Sequence, residues 1–179
     1  LGAQDASRVS FTMNATMALN IALAGLLPDG GRAVTTAASH NSVLRPLFHA
    51  RDLRGVQVEV ARILPDGSLD WESYERALEG GANLVVATHA SNVTGDVYDV
   101  ARMAAMAHDA GALFVLDAAQ TAGAMPVDMA ALGVDVLCFT GHKSLYGPQG
   151  TGGLIVREGL EIAPLLEGGS GVRSFDERQ

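Results

Sequence analysis

The chain has 179 residues, 48% of them apolar, a formal net charge of −8 and a single cysteine. That length and apolar share suit one domain with a substantial core, and no apolar run nears the ~20 residues of a membrane span. The negative balance argues against nucleic acid or an anionic membrane as a partner; one cysteine allows neither an internal disulfide nor a cysteine-rich metal site, so no metal and a reducing cytoplasm are expected.

Asn14 and Thr16 are both helix N-cap types, and they lead into a mostly buried helix over 17–24 that ends at Pro28-Asp29-Gly30-Gly31. A helix start of this kind caps the helix, and its free N–H groups also suit a phosphate. Residues 33–36 read as a short strand, followed by His40-Asn41-Ser42 and a helix over 43–53. Val56, Val58 and Val60 alternate in a strand over 56–63. Pro65-Asp66-Gly67 is a turn, and Asp70 can cap a helix over 71–78. The apolar run 83–88 reads as a buried parallel strand that stops at His89-Ala90-Ser91-Asn92-Val93-Thr94-Gly95. A helix over 100–110 precedes a buried strand over 113–116, which ends at Asp117-Ala118-Ala119-Gln120. A short helix around 129–132, a strand over 134–139 running into Thr140-Gly141-His142-Lys143, and a last strand over 154–156 complete the series. Strands alternating with helices over short connections predict an α/β fold, a three-layer α/β/α arrangement with a mainly parallel sheet and right-handed crossovers.

Lys143 is the only lysine; the other eleven basic residues are arginine. Arginine stays protonated, whereas lysine can lose its proton and attack a carbonyl to form a Schiff base. A surface lysine would explain the residue as simply, so its surroundings must decide. Three polar clusters each follow the C-terminal end of an apolar strand, the edge where open α/β sheets bind ligands. Asn92, Asp117, Gln120, His142 and Lys143 are therefore expected to share one crevice. Taken singly, Asp117 could be a cap or ion-pair partner, His40 a helix cap, His142 a core histidine, and Asn92 and Gln120 loop amides. Together they fit pyridoxal 5′-phosphate: a lysine for the aldehyde, a carboxylate for the ring nitrogen, an amide for the phenolic oxygen, a helix start for the phosphate and a flat ring for stacking.

The ordered set Asn14-Ala15-Thr16, His40, Ser91-Asn92-Val93-Thr94-Gly95, Asp117-Ala118-Ala119-Gln120 and Thr140-Gly141-His142-Lys143 resembles the class V aminotransferase family of fold-type I pyridoxal-phosphate enzymes. The branch it is most similar to is the cysteine desulfurase and selenocysteine lyase group, to which Gly147-Pro148-Gln149-Gly150-Thr151-Gly152-Gly153 and Glu167-Gly168-Gly169-Ser170-Gly171 add further likeness. The resemblance implies that Lys143 holds the cofactor as an aldimine and shuttles the substrate proton. It also implies that Asp117 pairs with the pyridine nitrogen, Gln120 bonds the phenolic oxygen, and Asn92 lies near that oxygen and the substrate carboxylate. His40 would stack on the ring, and Ala15, Thr16, Thr140 and His142 would hold the phosphate. Ala15 stands where relatives often carry threonine, so only its backbone donor remains.

The implied reaction is Cβ–S or Cβ–Se cleavage of a small amino acid, in a homodimer with a sulfur-acceptor protein as a further partner. Transamination, or epimerisation, on the same cofactor is an alternative, as is a non-catalytic phosphate- or nucleotide-binding module; the chain has neither a GxGxxG after its first strand nor a Walker A motif. The whole chain, 1–179, is expected to be one large cofactor domain, lacking the family's N-terminal start and its C-terminal small domain with the carboxylate-binding arginine. The family's sulfur-accepting cysteine sits on a later loop. Cys138, between Leu137 and Phe139, reads as packing, and Arg173 is not assigned to the site.

Overall fold

Seven strands form one sheet in the computed structural model, which describes residues 1–3 and 5–168. The strands are β1 (Val9–Thr12), β2 (Arg32–Thr36), β3 (Gln57–Ala61), β4 (Leu84–Thr88), β5 (Leu113–Asp117), β6 (Val136–Thr140) and β7 (Gly152–Val156), in the spatial order β1-β7-β6-β5-β4-β2-β3. The five strands β6-β5-β4-β2-β3 run parallel; β7 is antiparallel to both β6 and β1. The helices are α1 (Ala15–Leu26), α2 (Asn41–Arg54), α3 (Trp71–Leu78) and α4 (Val100–Asp109).

The period-2 alternation of a strand sends neighbouring side chains to opposite faces. Leu84, Val86, Val115, Val136 and Cys138 pack with α1 and α2 through Leu19, Leu23, Val43 and Leu47. Val85, Ala87, Phe114, Leu116 and Leu137 pack on the other side with α3 and α4 through Tyr74, Met103 and Ala107. Two cores thus flank one sheet, the expected three layers. β4 and β6 are buried at every position, which is why they read as continuous apolar runs.

Two expectations are corrected. Residues 129–132 form no helix: Asp128 Oδ1 accepts from the N–H groups of Ala130 and Ala131, and Gly133 at φ +68° ends the segment after one turn. The strand over 56–63 is shorter, and Val60 is exposed because β3 is the sheet edge. β1 is an additional strand: Val9-Ser10-Phe11-Thr12 alternates apolar and polar, but over only four residues, and Phe11 is 85% exposed. Cys138 is fully buried in the α1/α2 core, in keeping with its reading as packing.

Gly152 sets where α1 begins. A Cβ there would lie 2.7 Å from both Cα and C of Asn14 and 2.8 Å from the Phe139 carbonyl oxygen, all backbone. The missing side chain lets the N-terminus of α1 settle against the end of β6 and the start of β7. Gly152→Ala is expected to cost about 1–3 kcal/mol by overpacking, read as a lower denaturation midpoint with an unchanged m-value.

Candidate active site

The C-terminal ends of β4, β5 and β6 and the start of α1 enclose a cleft of about 240 Å³. Ala15, Thr16, His40, Asn92, Asp117, Gln120, Thr140, His142 and Lys143, every residue singled out from the sequence, line it. Asn14, Ser42, Thr88, Ala90 and Ala119 complete the wall. A larger cleft of about 780 Å³ lies between α1 and α2, and another of about 520 Å³ surrounds Asp135. Size is not the guide here: the Asp135 carboxylate is already engaged by His108 Nε2 (2.9 Å), the Phe114 N–H (2.7 Å) and Arg157, a structural tie.

Asp117 closes β5 between two parallel neighbours, level with Thr88 of β4 and Cys138 of β6. Its carbonyl accepts from His89 N–H at 3.0 Å. The residue is 4% exposed, and its Oδ1 accepts from Ala119 N–H at 3.0 Å. Burial pushes its pKa up; the Ala119 hydrogen bond and the charges of Lys143 and His40 oppose that rise. No salt bridge holds this carboxylate among the described residues. A buried carboxylate without an ion partner, facing a cleft, is suited to a cationic ligand atom.

The start of α1 is a second directed feature. Asn14 caps it, its side chain accepting from Met17 N–H at 2.9 Å, and Ala18 N–H returns to Asn14 O. The N–H groups of Ala15 and Thr16 are then left without intrahelical acceptors at the cleft wall, a donor pair at the positive end of a helix. Thr140 Oγ1 and His142 Nδ1 lie 3.0 Å apart beside them. His40 is both a cap and a cleft residue: Nδ1 accepts from Ser42 N–H at 3.1 Å and contacts Ser42 Oγ at 2.8 Å. In the neutral ring this leaves the proton on Nε2. Ser42 was not singled out from the sequence, although its two-residue spacing from a cap-position histidine carries the signal.

Lys143 sits on a loop folded back on itself. Gly141 N–H bonds Thr151 O, Gly147 N–H bonds Gly141 O, and Tyr146 N–H bonds Lys143 O, at 2.8, 2.8 and 2.9 Å. Tyr146 adopts a left-handed φ of 54°, uncommon for a residue with a side chain. Gly123, beyond Gln120, abuts this loop: at φ +85° its added Cβ would lie 2.4 Å from Ser144 O. Gly123→Ala therefore combines left-handed strain with a backbone clash beside Lys143, a cost of about 2–5 kcal/mol from the two effects together. The variant is expected to lose cofactor affinity out of proportion to its fall in Tm, measured by cofactor titration of the folded fraction.

A model of the class-V aminotransferase family matches residues 1–179. The chain belongs to the class-V aminotransferase family. It is 38% identical over 176 residues to a probable cysteine desulfurase of Methanothermobacter thermautotrophicus, covering 97% of this chain and 44% of that protein. Among solved structures, the apo cysteine desulfurase of Thermococcus onnurineus NA1 superposes with a TM-score of 0.80 at 38% identity, covering 84% of this chain and 38% of that one. The cysteine desulfurase CsdA of Escherichia coli gives a TM-score of 0.85 at 29% identity, covering 93% and 43%. The chain thus spans less than half the length of these relatives. Class-V members depend on pyridoxal 5′-phosphate and have the fold-type I α/β architecture seen here. The donor set of the cleft fits that cofactor: one primary amine, one buried unpaired carboxylate and a free helix N-terminus.

Arg173 and the segment Gly169-Ser170-Gly171 lie outside the described residues. Among the described residues no cluster of His, Cys, Asp and Glu could hold a metal ion, and no helix is long and apolar enough to cross a membrane.

Proposed function

We propose that this chain is the cofactor domain of a cysteine desulfurase-like enzyme that cleaves the Cβ–S or Cβ–Se bond of a small amino acid. The observation that carries the reading is the sole lysine and the buried, unpaired Asp117 on the wall of one cleft with a free helix N-terminus. Relatives named as cysteine desulfurases favour this outcome over transamination.

When bound, pyridoxal phosphate supplies an electron sink for negative charge developed at the substrate α-carbon. Lys143 Nζ would hold the cofactor and, once released by substrate, take the α-proton. Asp117 would keep a proton on the ring nitrogen, because a cation beside a buried carboxylate favours the charged form of both. Gln120 would donate to the phenolic oxygen, and Asn92 would meet the substrate side of it. His40 would stack on the ring, held in place by its bonds to Ser42. The N–H groups of Ala15 and Thr16, with the side chains of Thr16, Thr140 and His142, would bind the phosphate. The same reading carries a homodimeric assembly, a sulfur-acceptor protein as partner and a cytoplasmic setting, with the assembly checked by sedimentation.

The test is turnover of cysteine, selenocysteine and alanine by the natural polypeptide that contains this sequence. Alanine formed from cysteine, with the sulfur atom passed to an added thiol as a persulfide and reduced to sulfide by excess dithiothreitol, is the expected result. A cofactor-loaded protein that instead converts alanine to pyruvate and leaves cysteine intact would establish the transaminase reading.

A further inference from the structure

Behind the cleft wall lies a buried polar pair that the roles above do not use. Thr88 and Ala90 line the cleft, whereas His89 between them is not part of its wall. The His89 residue is 4% exposed, and its Nδ1 lies 3.0 Å from Oγ1 of Thr121, which is 2% exposed. Thr121 immediately follows Gln120. Its N–H bonds Ala118 O at 3.1 Å, and Ala122 N–H bonds the same carbonyl at 2.8 Å, so the segment 118–122 is one tight turn. The backbone of His89 is fixed on both sides: its N–H donates to Asp117 O and its carbonyl accepts from Tyr98 N–H, each at 3.0 Å. Ser91, two residues on, holds the loop bearing Asn92 through Oγ, which accepts from Val93 and Thr94 N–H at 3.2 Å. One histidine therefore ties the loop after β4 to the turn after β5, and these carry Asn92 on one side and Asp117 and Gln120 on the other.

We propose that His89 and Thr121 are a positioning pair that holds the Gln120 amide and the Asp117 carboxylate in register with Asn92 across the cleft. The pair acts by geometry and touches no reacting atom. Burial lowers the His89 pKa, which keeps the ring neutral, with one nitrogen to donate and one to accept. Because both groups are buried, a broken bond leaves a polar atom without a partner, so the pair strongly prefers its single arrangement. A turn held this way aims an amide more narrowly than a solvent-exposed loop would.

This inference rests on the pyridoxal-phosphate reading of the cleft, and its test separates the two. The readouts are the pH midpoint of the visible band of the bound cofactor and the cofactor dissociation constant, taken on the natural polypeptide alongside Tm. Thr121→Val removes the hydroxyl at nearly constant shape. The midpoint is expected to rise by about half to one pH unit, the shift that loss of one neutral hydrogen bond to the phenolic oxygen brings, and affinity to weaken roughly three- to tenfold. Thr121→Ser keeps the hydroxyl and is expected to restore both. The double variant His89→Leu with Thr121→Val leaves no unsatisfied atom, so it folds even where a single variant does not; its midpoint is still expected to be shifted, and by no more than either single change, since the pair acts as one unit. A double variant with wild-type midpoint and affinity overturns the proposal and reduces the pair to packing. A wild-type protein without a Lys143-dependent band overturns the reading of the cleft itself.

Discussion

Lys143→Ala is expected to abolish the borohydride-reducible link between the protein and pyridoxal phosphate and to lower turnover at least about 10³-fold. No second lysine exists in the chain to replace it. Arginine cannot substitute chemically, because its guanidinium does not become a neutral amine at accessible pH. The fold is expected to be unaffected: the side chain is exposed and the loop is held by backbone bonds of Gly141, Gly147 and Tyr146. Mass spectrometry of the reduced adduct is the check. An adduct that persists and maps to the N-terminal amine, or to any site other than position 143, would remove the lysine from its assigned role.

Asp117→Asn is expected to separate stability from function. The carboxyl is buried and its folded-state pKa is raised, so the folded cofactor-free chain holds this proton to higher pH than the unfolded chain does. Such a group loses stability as pH rises above the unfolded value of 3.8 and on through the folded value. Asparagine does not ionise and can still accept from Ala119 N–H. The cofactor-free variant is therefore expected to be more stable than wild type at neutral pH by on the order of 1–2 kcal/mol, and to converge with it in acid as the wild-type carboxyl is protonated. With cofactor the order changes. A ring-nitrogen cation gives the wild-type carboxylate its partner, so pyridoxal phosphate should raise the wild-type Tm more than that of the variant. Turnover should fall by at least roughly 10²-fold, the scale of a lost electrostatic contact to the reacting system. Thermal scans at several pH values, with and without cofactor, check the first part, and steady-state kinetics checks the second. Turnover equal to wild type would sink the assignment of Asp117.

The parts of this protein that follow from local chemistry were legible from the residues alone. Strands β4 and β6, buried throughout, and β5, buried beyond Leu113, announce themselves as apolar runs because both of their faces are covered. Asp70 and Asn14 mark helix starts because their side chains satisfy N–H groups that no turn can. The sole lysine was distinctive through composition, and the family resemblance through the order of its motifs. Where a signal depends on neighbours distant in the chain, periodicity failed. β1 is only four residues long and becomes a strand by pairing with β7, and the single turn at 128–132 is stopped by Gly133, whatever its helix propensity.

What the sequence determined by itself is the alternation of elements, the strand ends at which the polar clusters fall, and the residue types available for one kind of chemistry. Those are fixed by side-chain period, capping and composition, which act over a few residues. Tertiary structure turned the expected crevice into one cleft lined by nine residues spread from Ala15 to Lys143, and it alone decided that Asp117 is there without an ion partner and that His89 reaches Thr121 behind it. Those facts come from strand order and from close backbone approach at Gly123 and Gly152, where steric exclusion between distant segments sets the geometry.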